Sequence, residues 1–225
     1  MRNLSKISIA IDGPAGAGKS TIAKIVSRSL GIIYLDTGAM YRAVALKAIR
    51  KGVDTLDREK LASLVKDINI RIVHNGDEQQ IFLDGEDVSE KIRTPEVSIG
   101  ASNVGTIPEV RMKMVELQRS IAAQNSVVMD GRDIGTYVLP DADFKFFLTA
   151  SLEERAKRRF NEQQERGLQD VCFEEVLKDM DYRDKNDSSR AFAPLCKAED
   201  AILLDTTDLN IEQVADKILS YAGGY

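Results

Sequence analysis

Residues 6–21 read KISIAIDGPAGAGKST, and this stretch decides the fold class of the chain. Residues 6–11 are β-branched and apolar, which favours a buried strand, and the glycine-rich segment that follows ends it. Beyond the glycines, apolar side chains recur at helical spacing from Ile22 to Leu30, and Gly31 is suited to the end of that helix. The stretch therefore predicts a strand, a loop and a helix in direct succession.

Residues 13–20 match the pattern G-x-x-x-x-G-K-S/T of a phosphate-binding loop, or P-loop. Its glycines let backbone N–H groups point at phosphate oxygens, and the helix N-terminus adds a partial positive charge. Lys19 has the reach for the β- and γ-phosphates, and the Ser20 hydroxyl is a ligand for Mg²⁺. We therefore predict nucleoside triphosphate binding by Gly13, Pro14, Ala15, Gly16, Ala17, Gly18, Lys19, Ser20 and Thr21.

The composition of the chain narrows the class of protein. It has 225 residues, 43% of them hydrophobic, and 31 Lys or Arg against 36 Asp or Glu give a net charge of −5. This supports a buried core, and the acidic balance argues against a dedicated nucleic-acid binder. No window approaches the roughly 18 apolar residues of a membrane span. We expect a cytoplasmic protein that binds neither nucleic acid nor membrane, with partly buried thiols at Cys172 and Cys196.

Strand and helix patterns alternate along most of the chain. Strands are predicted at 6–11, 32–35, 126–129, 143–149 and 201–204, and helices at 39–51, 58–68, 108–124, 151–166, 172–185 and 210–222. Short connections between them favour βαβ units. We therefore predict the α/β class, with a five-stranded parallel sheet and helices on both of its faces.

Residues 69–88 interrupt this alternation. The segments INIRIV and QIFLDG each alternate apolar and polar residues, and Asn75-Gly76 between them is a turn signal. We predict an inserted β-hairpin outside the main sheet. His74, the only histidine of the chain, lies beside the turn and is interpreted as an exposed strand-end residue rather than a catalyst.

Two further features suit a site for phosphates. Residues 127–129 form an apolar run that ends at Asp130, which is typical of a Walker B strand whose carboxylate holds Mg²⁺ through water. The alternative is an aspartate that only ends a strand. Five arginines in or beside loops and polar turns offer planar donors for an acceptor with its own phosphate, namely Arg42, Arg111, Arg132, Arg183 and Arg190.

The segment from Glu153 to Arg166 is rich in basic residues. After a P-loop, we interpret it as a mobile lid that closes over the triphosphate and excludes water. The alternative is a solvated helix face with i,i+4 ion pairs such as Glu154–Arg158.

Six segments together resemble the bacterial cytidylate kinases, in the order of that family. They are residues 13–21, 35–42 (LDTGAMYR), 84–89 (DGEDVS), 92–97 (IRTPEV), 130–133 (DGRD) and 190–194 (RAFAP). The resemblance covers nearly the whole chain, although residues 187–190 (DSSR) have serines where the family can have further basic residues. It implies a kinase core at about 1–37, 105–150 and 198–225, an NMP-binding region with the inserted hairpin at about 38–104, and a short helical lid at about 151–197.

The resemblance also implies an activity and roles for residues. The activity is direct in-line transfer of the γ-phosphate of ATP to CMP or dCMP, giving CDP or dCDP and ADP, with Mg²⁺ as cofactor, in a monomer. By position, Thr37, Arg42 and Arg132 hold the acceptor phosphate, Ser102, Arg111 and Asp133 read the cytosine edge, and Asp187 meets the ribose. Arg183 and Arg190 join Lys19 and Arg132 in the catalytic set, Arg158 contacts ATP from the lid, and Ser20 and Asp130 hold the metal.

Two alternatives stay open from the residues. One is a P-loop kinase for another small acceptor, such as UMP, AMP or a hydroxylated metabolite. The other is a nucleotide-switched binding protein. A switch GTPase needs an Asn/Thr-Lys-x-Asp element, and residues 184–187 (DKND) match it only in part.

Overall fold

The computed structural model of the protein describes residues 6–75, 78–167 and 171–222. Its strands are β1 (Ser8–Asp12), β2 (Ile33–Asp36), β3 (Ile70–Asn75), β4 (Glu78–Leu83), β5 (Glu86–Asp87), β6 (Val127–Gly131), β7 (Phe144–Thr149) and β8 (Ile202–Asp205). Its α-helices are α1 (Lys19–Leu30), α2 (Thr37–Arg50), α3 (Arg58–Leu64), α4 (Pro95–Val104), α5 (Pro108–Gln124), α6 (Leu152–Glu165), α7 (Phe173–Ser189) and α8 (Ile211–Ala222). A 3₁₀ turn spans Lys91–Arg93 and a π-helical turn spans Ile134–Val138.

Five parallel strands form the main sheet in the order β2-β6-β1-β7-β8. The central three strands are mostly apolar, because helices cover both faces of a parallel sheet. The register pairs Asp12 with Gly131 and Asp36 with Asp130, so β1, β2 and β6 end at the same edge. The predicted five-stranded parallel sheet is confirmed, and this edge is where the site residues meet.

The core lies in two layers, one on each face of the sheet. On one face Ile9 and Ile11 of β1 pack with α1 and α8. On the other, Ala10 of the same strand packs in a cluster that includes Met40 of α2 and Met114 of α5. Alternate residues of β1 thus point to opposite layers, as the two-residue period of a strand requires. Helices cover both faces, as predicted.

The inserted hairpin is present as β3 and β4, and the short strand β5 extends it to a separate three-stranded sheet. Gly76 of the predicted turn lies outside the described residues. The interpretation of His74 as exposed is wrong, because the side chain is partly buried and its Nε2 lies 2.8 Å from the backbone oxygen of Tyr34 in β2. The hairpin therefore rests on the edge strand of the main sheet.

Two other expectations need correction. Helix α4, which the sequence analysis leaves unassigned, begins at Pro95 behind Thr94, whose side chain accepts a hydrogen bond from the Val97 N–H. Both cysteines, expected to be partly buried, are exposed: Cys172 precedes α7, and Cys196 lies in the irregular segment between α7 and β8. None of the helices in the described ranges is long and apolar enough to span a membrane.

Candidate active site

The P-loop connects β1 to α1 and needs glycine at specific positions. Gly13 has φ of +145°, and a Cβ there would lie 2.0 Å from the Leu148 oxygen of β7. Gly16 has φ of +74°, and its Cβ would lie 2.9 Å from the oxygen of Arg155 in α6. These glycines let the loop pass close to β7 and α6, which no L-residue with a side chain would allow.

Lys19, the first residue of α1, is buried at the floor of the loop with 5% of its surface exposed. Its Nζ donates to the Pro14 oxygen at 2.6 Å. Burial lowers the pKa of Lys19 to about 7, nearby Arg132 adds to this effect, and the carboxylates of Asp130 and Asp12 oppose it. A triphosphate at this loop would therefore meet an amine whose protonated form it strongly favours.

Ser20 and Asp130, the predicted metal ligands, lie together at the same sheet edge. The Ser20 hydroxyl donates to Asp130 at 2.8 Å, and Tyr34 donates to the second oxygen of that carboxylate at 2.9 Å. Burial and the nearby Asp36 raise the pKa of Asp130. A hydroxyl and a desolvated carboxylate are hard oxygen donors, so this pair fits a Mg²⁺ site whose remaining ligands are water and phosphate. No group of three or more metal-binding side chains occurs within the described ranges.

One cleft of about 860 Å³ brings the predicted residues together. Of the predicted site residues, only Gly13 and Pro14 do not line it. Those that do are Ala15, Gly16, Ala17, Gly18, Lys19, Ser20, Thr21, Thr37, Arg42, Ser102, Arg111, Asp130, Arg132, Asp133, Arg158, Arg183, Asp187 and Arg190. Residues far apart in the sequence thus share one solvent-filled space that begins at the P-loop.

Asp187 of α7 bonds several site residues in the cleft. Its carboxylate accepts from Arg132 Nε at 2.8 Å and from the Ser102 hydroxyl at 3.1 Å, and Arg190 lies 3.9 Å away. Burial alone would raise the pKa of Asp187, but Arg132, Arg190 and Arg183 together lower it. The carboxylate stays ionised and holds two of the predicted cationic side chains in place.

Asp133 lies between two arginines. Arg111 donates to one carboxylate oxygen, and Arg190 lies 3.4 Å from the other. Arg111 is 1% exposed and lies between the rings of Tyr41 and Phe192, 5.7 and 5.9 Å from their centroids. The three residues predicted to read a base, Ser102, Arg111 and Asp133, are therefore all held by neighbours that limit their rotation.

Thr37 and Arg42, the first-turn and second-turn residues of α2, depend on the residue before the helix. Thr37 donates to the Asp130 oxygen at 2.7 Å. Asp36 caps the helix by accepting from the Ala39 N–H, and its other oxygen accepts from Arg42 at 2.7 Å. Burial would raise the pKa of Asp36, but Arg42 lowers it, so the residue keeps its charge. Arg42 Nε is buried with no partner and is free to donate to an anion.

Arg183 is a buried cation with other arginines nearby. Burial, and then repulsion by Arg132, Arg159 and Arg42, lowers its pKa to about 10. Its Nε is buried and has no partner. A buried guanidinium with other arginines nearby and an unpaired Nε has the chemistry to bind an anion.

The basic segment of α6 divides into parts with different partners. Arg155 is buried and donates to the Ala15 oxygen at 3.1 Å and to Asp184 at 2.7 Å, so it ties the P-loop to α7. Arg158 forms the predicted pair with Glu154 at 3.0 Å and also donates to the Thr206 oxygen at 2.7 Å. The ion pair of the solvated-face alternative is therefore present, but on a side chain that lines the cleft.

Two aspartates that position other site residues were missed by the sequence analysis. One is Asp36, which caps α2 and accepts a hydrogen bond from Arg42. Asp12 accepts from the N–H groups of Ile134 and Gly135 at 2.8 and 2.7 Å, which fixes the π-helical turn directly after Asp133. Burial raises the pKa of Asp12 to about 7, against the effect of those two donors. The sequence feature that could have identified Asp12 and Asp36 is a carboxylate at the end of an apolar strand.

The strand order and the cleft define the class of protein: a P-loop α/β kinase fold with a cluster of arginines in the same cleft as the P-loop. The fold is shared by the solved structure of a shikimate kinase from Bacteroides thetaiotaomicron, with a TM-score of 0.51 and 13% identity over 97% of this chain and 99% of that one. The family model described as cytidylate kinase matches residues 9–223, and the chain belongs to that family.

Full-length relatives agree with this membership. A cytidylate kinase from Caldicellulosiruptor bescii is 54% identical over 96% of this chain and 95% of its own length. One from Desulfitobacterium hafniense is 56% identical over 95% of this chain and 91% of its own length. The resemblance carried by the six sequence segments is confirmed.

Proposed function

We infer that this protein is an ATP-dependent kinase that phosphorylates CMP or dCMP, giving CDP or dCDP and ADP. Its membership of the cytidylate kinase family supports this activity, because relatives above 50% identity that cover nearly the whole chain have that name. The reaction needs a site for a triphosphate and a site for an acceptor phosphate in the same enclosed space.

The distribution of cations along the cleft is the observation that carries this function. Lys19 lies at the P-loop, and Arg42, Arg132 and Arg183 line the same cleft. Burial, with added repulsion by Arg132 and Arg42, lowers the pKa of Arg183 to about 10, so these cations lie close to one another. Two anionic nucleotides relieve that repulsion, and the cations in turn offset the repulsion between the nucleotides.

Phosphoryl transfer is catalysed mainly by positioning the substrates and by stabilising charge, so no covalent intermediate with the protein is required. The nucleophile is an oxygen of the CMP phosphate, which is anionic at neutral pH, so no strong general base is required. We assign Thr37, Arg42 and Arg132 to the acceptor phosphate, and Lys19, Arg132, Arg183 and Arg190 to the transferring phosphoryl group. The P-loop residues and Arg158 would hold ATP, and Asp187 the ribose.

Mg²⁺ belongs to this proposal as the cofactor of ATP. Ser20 and Asp130 would hold it, directly or through water, on the evidence of their contact and of the buried carboxylate. When bound, the ion neutralises charge on the β- and γ-phosphates. The proposal further includes a monomeric, cytoplasmic enzyme that binds no nucleic acid, since its substrates are small nucleotides of the cytoplasm.

We also propose that three regions of the chain have different functions. The core, at about 1–37, 105–150 and 198–225, binds the triphosphate, and the NMP-binding region, at about 38–104, positions the acceptor. Residues of about 151–197 act as the lid. Arg155 and Arg158 bond backbone oxygens of the core, which supports a lid whose first helix stays attached to the core.

A coupled assay with a panel of nucleoside monophosphates tests the function. ADP should form rapidly only when CMP or dCMP is added to protein and MgATP, and far more slowly with UMP or AMP. Equal rates with another acceptor would assign the chain a different substrate. ADP formation that ignores every acceptor would indicate a nucleotide-switched binding protein.

The lid assignment predicts a local change in amide hydrogen exchange. Arg159, Glu162 and Arg166 line the cleft, whereas Arg155 is already tied to the P-loop. Saturation with CMP and a non-hydrolysable ATP analogue should therefore slow exchange over 159–167 more than over 152–158. Mass spectrometry of the free and bound protein measures this, with α3 as an internal reference outside the cleft. Equal exchange over 159–167 in both states would favour a static, solvated helix face.

A further inference from the structure

Two facing side chains of the hairpin form hydrogen bonds with the edge strand of the main sheet. His74 of β3 and Gln79 of β4 are directly opposite each other in the hairpin register. The ring Nε2 of His74 lies 2.8 Å from the Tyr34 oxygen. The Gln79 side chain accepts from the Asp36 N–H at 2.8 Å and donates to the Asp36 oxygen at 3.4 Å. All three backbone groups belong to β2.

These side-chain contacts take the place of the backbone hydrogen bonds that a further strand beside β2 would make. Strand β2 is at the edge of the sheet, paired only with β6, so its outer N–H and C=O groups have no ladder partner. Backbone groups of residues two apart in a strand, such as Tyr34 and Asp36, point to the same side. The pair His74 and Gln79 satisfies these groups where a sixth strand would otherwise have bonded.

Asp36, whose backbone is bonded by Gln79, also holds a side chain of the cleft. Asp36 caps α2 and holds Arg42 at 2.7 Å, and Arg42 lines the cleft. We propose that Gln79 is a positioning residue for acceptor binding: by fixing the Asp36 backbone, it sets the orientation of the Arg42 guanidinium. This proposal rests on the proposed function, since it takes the anion at Arg42 to be the acceptor phosphate. Under this proposal, the inserted hairpin contributes to substrate binding through Gln79.

The chain offers a matched control. Gln80 is the next residue of β4, points to the opposite face of the hairpin and is paired with Val73 in the register. Gln79→Ala should raise the KM for CMP by about 3- to 10-fold, the effect expected for losing a local hydrogen-bonded support. The KM for ATP should stay within about 2-fold, as should all parameters of Gln80→Ala. Gln79→Met, which keeps the aliphatic length without the amide, provides a second variant.

A double-mutant cycle with Arg42→Ala separates positioning from direct contact, because Gln79 also lines the cleft. If Gln79 acts through Arg42, Gln79→Ala should change the KM for CMP by less than about 2-fold in the Arg42→Ala background. The same factor in both backgrounds would overturn the proposal, and so would an unchanged KM in folded Gln79→Ala and Gln79→Met. A wild-type protein without CMP-dependent ADP formation would instead refute the proposed function.

Discussion

Replacing Lys19 with alanine is expected to lower kcat by about 10²- to 10³-fold while the protein stays folded. The amine lies at the floor of the P-loop, surrounded by its backbone, and its environment lowers its pKa to about 7 in the absence of nucleotide. Phosphate oxygens would restore the protonated form and place it against the charge that moves in the reaction. Its loss removes a cation that no neighbouring side chain of the loop can replace.

Steady-state kinetics at saturating ATP and CMP measure this effect, with thermal unfolding as the check on the fold. Lys19→Met keeps the aliphatic stem and should lose a similar factor. Lys217→Ala removes an exposed lysine of α8 away from the cleft and should leave kcat unchanged. A folded Lys19 variant with near wild-type kcat would show that the amine has no part in transfer.

Asp133→Asn is expected to reduce the preference for CMP over UMP, measured as the ratio of kcat/KM values, by about 10- to 100-fold. Cytosine has an exocyclic amine where uracil has a carbonyl oxygen. A fixed carboxylate accepts from the amine but is left desolvated and unpaired against the carbonyl. Asp133 is 4% exposed, held by Arg111 and Arg190, and lines the cleft, so it has little freedom to turn away.

The same substitution removes a negative charge between two buried guanidinium groups. A lower melting temperature is therefore expected as well, because breaking a buried ion pair leaves cations uncompensated. The substrate ratio is independent of this loss, since both rates come from the same folded molecules. Asp141→Asn, at an exposed position, should alter neither quantity. An equal fall in both rates would mean that Asp133 supports the structure and that base reading lies elsewhere.

The fold class could be predicted because its signals are local. The apolar run before Gly13 and the helical spacing after Ser20 are properties of consecutive residues, and a strand buried on both faces is apolar throughout. The same holds for the hairpin, whose two-residue alternation contrasts with the neighbouring helices. Helix α4 escaped assignment because its ten residues include serine, glycine and asparagine, which are weak helix formers.

The candidate site could be predicted as a set of residues but not as an arrangement. The P-loop pattern and the family resemblance named residues that the structure gathers in one cleft. Neither indicated that Asp187 and Asp133 each bridge at least two partners, nor that Arg155 ties α6 to the P-loop. These contacts join residues up to 140 positions apart. The role of each site residue stays a prediction until the variants are measured.

By itself, the sequence determined the P-loop, the parallel sheet and the family, since periodicity and motifs are written in neighbouring residues. The tertiary structure decided which carboxylates hold which arginines, and it brought His74 and Gln79 of the hairpin against the backbone of β2, a contact that no sequence pattern indicated. The physical reason is the range of the interactions. Strand and helix formation depend on near neighbours, whereas burial, pKa and hydrogen bonding at the site depend on groups that only folding brings within a few ångströms.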